Sequence, residues 1–174
     1  MAFEPIRLEG RFPELHGFVL LDPARLDAFC DFKARGADLL TRFTQTNDGD
    51  RVSHAGIAIP MTGIETGDYS IVIRDAQSLG PGQLARVKSP GWILGTETGE
   101  ILFTGLGYLA RWDPDHPRHA RIRIPAGWYR VEISGYVLNA GEGTEKWLYE
   151  LAMSFSKEKP PFDADLTAKL GLSP

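Results

Sequence analysis

The chain has 174 residues, the size of one ordinary domain, and can bury about 70% of its unfolded surface without a disulfide or metal staple. A formal net charge of −4 argues against nucleic acid as the main partner, and the single cysteine, Cys30, excludes an intramolecular disulfide and favours a reducing, cytoplasmic setting. No apolar run approaches the roughly 20 residues of a membrane helix, and Met1 to Gly10 lacks the apolar segment of a secretory leader.

The first 20 or so residues read as extended and end in the apolar run Gly17 to Leu21. Asp22-Pro23 is a helix start, an oxygen for the orphan amides followed by a ring with no N–H. Leu26, Phe29, Cys30, Ala37, Leu40 and Phe43 then fall on one helical stripe, broken at Gly36, so one long helix and two short ones are equally compatible. Asn47-Asp48-Gly49-Asp50 carries turn chemistry and is expected to close the helical region. From Ala55 to Phe155 the pattern is β throughout, and the 19 glycines and 12 prolines suit short strands and tight turns.

Two segments of that stretch resemble each other. Ala55 to Pro60 recurs as Ala120 to Pro125, and Gly67 to Ile73 recurs as Gly127 to Ile133. Each is followed by a glycine-containing loop and a strand expected to open with tryptophan, Trp92 or Trp147. An internal duplication of a hairpin is the expectation. Alternation turns Ile57, Ile59, Tyr69, Ile71 and Ile73 inward in the first hairpin, and Ile122, Ile124, Tyr129, Val131 and Ile133 inward in the second. The first hairpin's outward residues, Gly56, Ala58, Ser70 and Val72, are small, so the helix is expected to cover them while the second hairpin faces water. Trp147 to Phe155 alternates strictly and reads as a final strand, closed by Pro160-Pro161 and followed by a short amphipathic tail. The architecture expected is mainly β (α+β): a two-sheet sandwich or barrel with an N-terminal helical segment packed on one face. It forms a single domain over 1–174, with the helical segment to residue 50, the β body over 51–158 and a tail over 159–174.

Several motifs resolve into ordinary structure. Gly105-Leu106-Gly107-Tyr108-Leu109-Ala110 fits a dinucleotide fingerprint, but Arg111-Trp112-Asp113-Pro114 starts no helix to hold a pyrophosphate, so the glycines belong to a strand or bulge. The loop Asp113 to His119 holds two carboxylates and two imidazoles, yet its two prolines stiffen it and its spacing matches no metal-site pattern, so no metal or other cofactor is expected. Cys30 lies on the apolar stripe and reads as a small hydrophobe rather than a nucleophile. Gly63-Ile64-Glu65-Thr66-Gly67 and Gly95-Thr96-Glu97-Thr98-Gly99 share a Gly-x-Glu-Thr-Gly pattern, read as hairpin turns rather than an acid–base pair. No catalytic residues are assigned.

The outward face of the second hairpin is the functional candidate: Arg121, Arg123, Trp128 and Arg130. With Ala126-Gly127 as the turn, Arg123 lies across from Arg130, Pro125 from Trp128 and Arg121 from Glu132. Two facing arginines beside an outward tryptophan have the composition of a binding hot spot for an acidic protein surface.

Strand Ile57-Ala58-Ile59-Pro60, strand Tyr69 to Ile73, the run Ile122-Arg123-Ile124-Pro125-Ala126-Gly127-Trp128-Tyr129, then Trp147 to Phe155 and a proline-rich exit together resemble the competence protein J family. The resemblance covers roughly Ala55 to Phe162. It implies a small bacterial β-sandwich protein that inhibits a DNA-entry nuclease, and it carries over no site residues. The expected function is a non-catalytic protein-binding domain of the inhibitor or immunity type. The alternative is a small-molecule-binding barrel or a metal-dependent enzyme built on the Asp113–His119 loop.

Overall fold

The structure, a computed structural model, describes residues 2–78 and 80–173; Met1, Leu79 and Pro174 lie outside the described residues. In chain order it forms β1 (Ile6–Arg11), β2 (Gly17–Leu21), α1 (Pro23–Phe29), α2 (Leu39–Gln45), α3 (Asp48–His54), β3 (Ala58–Thr62) and β4 (Tyr69–Asp75). There follow β5 (Val87–Thr96), β6 (Glu100–Gly105), a 3-10 segment (Leu106–Arg111), β7 (Ala120–Arg123), β8 (Gly127–Leu138) and β9 (Lys146–Ser156).

The strands form two sheets that do not close into a barrel. One has five strands in the order β1-β4-β9-β8-β5, the other four in the order β3-β2-β6-β7. The mainly β, two-sheet architecture with helices on one face is therefore as the sequence indicates. Phe18, Leu20, Ile59, Met61 and Phe103 of the smaller sheet meet Ile71, Val131 and Leu151 of the larger in one core, all essentially without exposure. Burial on this scale is the main stabilising term of such a sandwich.

The helices lie on the outer face of the smaller sheet. Leu26, Cys30, Leu39 and Val52 pack there against Val19, Leu21, Ala58 and Leu102. Every residue of β2 is buried, because the core covers one side of that strand and the helices cover the other. Asp22 caps α1 by accepting the Arg25 N–H at 2.9 Å, with Pro23 at the first helical position, as its side chain and ring dictate.

Several expectations are corrected. Neither repeated segment is a hairpin: β3 and β7 belong to the four-stranded sheet, while β4 and β8 belong to the five-stranded one. Each segment is a corner at which the chain changes sheet, and alternation along a strand looks the same whichever sheet the next strand joins. The helices accordingly cover β3 with β2 and β6, not β3 with β4. Asn47 to Asp50 does not end the helical region; Asn47 precedes α3, where Asp48 and Asp50 sit in the first turn. The stretch after Ala55 is not wholly β, since Leu106–Arg111 turns as a 3-10 segment. Trp92, moreover, lies inside β5 rather than opening it. The tail is more than an exit: Leu170 and Leu172 insert into the main core, and Tyr149 donates to the Leu170 carbonyl at 2.5 Å.

Candidate protein-binding face

The corner between β7 and β8 determines where the four sequence-derived site residues go. Arg121 and Arg123 stand on the outward face of β7, whose ladder partner is β6; Arg123 is opposite Glu100 and Arg121 opposite Leu102. Both arginines reach the same carboxylate, Arg121 at 2.7 Å and Arg123 at 3.5 Å. Arg121 also pairs with Asp115 at 3.2 Å and donates to the Pro114 carbonyl. Arg123 keeps 79% of its side chain exposed.

Trp128 and Arg130 lie past the corner, on the outer face of the five-stranded sheet. Arg130 is opposite Ile93 on β5 and Ser154 on β9, and Glu132 is opposite Ala152. The facing of Arg123 with Arg130 expected from a hairpin therefore does not occur, nor does that of Arg121 with Glu132. The structure groups the four residues as two pairs, one on each side of a sheet-changing corner.

Trp128 is half-buried. Its ring lies over two glycines: a Cβ on Gly95 would come within 2.6 Å of it, and one on Gly56 within 2.7 Å. Arg25 of α1 stacks on the ring at 4.9 Å and donates to the carbonyls of Ala55, Gly56 and Gly95 at 3.0, 2.8 and 3.1 Å. Lys159 approaches the same ring at 5.9 Å. Trp128 thus joins α1, the α3–β3 connection and β5 while leaving part of its surface to solvent.

Arg130 is exposed and has no ion pair among the described residues. With Arg74, Glu132, Pro90 and Ser154 it lines a hollow of about 270 Å³ on the sheet surface. Arg74 is bound to Glu150 at 2.9 Å, with only 13% and 4% of the two side chains exposed. That hydrogen bond holds the Arg74 guanidinium above its ordinary pKa, against the opposing effect of burial. This pair is not legible in the sequence. Both residues have the outward phase of their strands, but β4 and β9 pair in parallel across some seventy intervening residues, which nothing local announces.

The two carboxylates and two imidazoles of the Asp113–His119 loop are engaged with the protein itself. His119 uses one ring nitrogen with the Thr104 hydroxyl and the other with the Asp113 carbonyl, both at 2.8 Å, and its ring stacks on Trp112. His116 Nδ1 accepts the Arg118 N–H at 3.1 Å. Asp113 and Asp115 both pair with Arg35. Among the described residues no cluster of three or more His, Cys, Asp or Glu side chains is placed to hold a metal ion.

The two Gly-x-Glu-Thr-Gly segments are connections between sheets rather than hairpin turns. Glu65 accepts the backbone N–H groups of Leu172 and Ser173 at 3.1 and 3.0 Å and so fastens the tail. Glu97 lines a separate hollow beside Asp22 and Arg25. The Cys30 thiol is pushed up by burial, the reverse of an activated nucleophile. Among the described residues no helix is long and apolar enough to cross a membrane.

A two-sheet sandwich whose corners change sheet, with helices on one outer face and a charged strand surface on the other, is the class the geometry defines. Within it the chain is similar in fold to the crystal structure of ComJ, inhibitor of the DNA degrading activity of NucA, from Bacillus subtilis. The TM-score is 0.51 at 12% identity, over 90% of this chain and 98% of that one. It also matches the structure described as crocagin biosynthetic gene J, with a TM-score of 0.45 and 16% identity over 87% of this chain and 98% of that one. No protein-family model matches the sequence, and no curated protein does. The resemblance read from strand order is thus a likeness of fold.

Proposed function

We propose that this chain is a non-catalytic, cytoplasmic binding domain of the bacterial inhibitor or immunity type. Its partner is another protein, one that presents an acidic surface. The observation that carries the reading is the fold shared with ComJ over nine-tenths of the chain. Arg121, Arg123 and Arg130 supply the charge and Trp128 the apolar anchor of the contact. In support, Arg130 is exposed and unpaired among the described residues, and Arg123 meets Glu100 only at 3.5 Å. These cations stand out on a chain whose net charge is −4. A rim of this kind steers association and sets the partner's orientation, while a tryptophan at its centre supplies affinity.

The test is native purification from the host, with mass spectrometry of whatever elutes at equal stoichiometry and an assay of DNA degradation on the eluate. A protein partner retained by the wild type and lost from R121E/R123E/R130E supports the reading. A chain that elutes alone contradicts it.

A further inference from the structure

On the face of the molecule covered by helices, α2 and α3 do not close fully onto β2 and β3. A pocket of about 190 Å³ remains there. Phe43, Val52, Val19, Ala58 and Leu109 form its walls, and Leu166 of the tail completes it. At one edge of it Gly49 lets α3 touch the backbone of α2, because a Cβ at that position would meet the Phe43 carbonyl oxygen at 2.1 Å.

Three hydroxyl residues line this pocket, and two of them are engaged. Thr44 donates to the Leu40 carbonyl at 2.8 Å and Thr62 to the Ala168 carbonyl at 3.2 Å. Ser53 is different: it is 1% exposed, and its hydroxyl has no hydrogen-bond partner among the described residues. A helical serine ordinarily satisfies itself on the carbonyl one turn back. A buried hydroxyl left without a partner destabilises the fold, so a ligand group that pairs with this one gains a hydrogen bond the protein does not supply. Asp50 is the one ionisable residue on the wall, so an anion would meet like charge with no cation to offset it.

We infer that this pocket is a binding site for a small neutral molecule of one apolar ring bearing a single hydroxyl or N–H, with Ser53 as its hydrogen-bond partner. An apolar protein cavity of about 150 Å³ takes up benzene, so the volume here admits one ring with a polar substituent. The site lies on the four-stranded sheet, on the helical side, whereas Trp128 and Arg130 stand on the five-stranded sheet. None of Arg121, Arg123, Trp128 and Arg130 lines it, although Arg121 and Arg123 stand on the same outer face of the four-stranded sheet.

The test is titration of the isotope-labelled full chain with phenol, toluene and benzoate, followed by amide NMR. Phenol should give saturable shifts at Val52, Ser53 and Leu109, and benzoate none. Ser53→Ala should weaken phenol about tenfold and leave toluene unchanged. Ala58→Leu should abolish binding by filling the space; if that variant does not fold, the contrast between phenol and toluene in Ser53→Ala decides alone. Absence of saturable shifts with phenol overturns the inference, as does equal weakening of phenol and toluene.

Discussion

Tyr69 and Tyr129 occupy equivalent places in two different corners. Each enters the same core with no more than 1% exposure, and each hydroxyl donates to the carbonyl four residues upstream, Glu65 at 2.7 Å and Pro125 at 2.5 Å. In both, the chain has just left the four-stranded sheet for the five-stranded one. A tyrosine bonded back to the connection that leads into its strand locks such a corner, as in immunoglobulin-like sandwiches. Tyr69→Phe and Tyr129→Phe should each lose about 1–2 kcal/mol in urea unfolding, since each leaves a carbonyl without its donor. Losses below a few tenths would mean the corners are held by packing alone.

The same tyrosines set an alkaline limit. Burial raises both phenols from 10.0 to about 12 in the folded chain. The folded state therefore holds its protons where the unfolded chain has begun to release them. Their contribution is complete below pH 10 and is lost as pH rises from 10 toward 12. Melting temperature across that range should fall less steeply in the double Tyr→Phe variant than in the wild type.

His119 acts at the other end of the scale. Burial lowers its pKa below the ordinary 6.5, despite the opposing bond to the Asp113 carbonyl. A depressed folded pKa means that stability is full above about pH 6.5 and declines as pH falls and the unfolded chain takes up the proton. His119→Gln should flatten the melting-temperature profile between pH 7 and 5. An unchanged slope would show that other groups control it.

The inward phase of Tyr69 and Tyr129 was legible from alternation, because burial of every second residue is a local property of a strand. Which sheet each strand joins was not. A corner built on Pro125 and Gly127 has the composition of a hairpin turn, and only the pairing of Arg123 with Glu100 tells them apart. The outward phase of Trp128 was equally legible. Its cover was not, because Arg25 lies about a hundred residues earlier and the ring's seat is the absence of side chains at Gly56 and Gly95.

Those glycines make the Trp128 site testable without a partner. Trp128→Ala should cost about 2 kcal/mol, between the small effect of an exposed site and the 3–5 kcal/mol of a fully buried aromatic. A double-mutant cycle with Arg25→Gln should return about 0.5–1 kcal/mol of coupling for the stacked pair. Gly95→Ala should displace the ring and change tryptophan fluorescence. A coupling near zero would leave Arg25 a carbonyl donor and nothing more.

The proposed contact places the arginines beside the β7–β8 corner against an acidic protein surface. The most direct measurement is the equilibrium affinity of the co-purified partner for wild type, R130E and R121E/R123E/R130E, at low and at high salt. R130E should lose at least tenfold, about 1.4 kcal/mol or more. The triple variant should lose more, and the wild-type affinity should weaken with salt. Equal affinities across the three proteins, with each variant as stable as the wild type, would contradict the proposed contact.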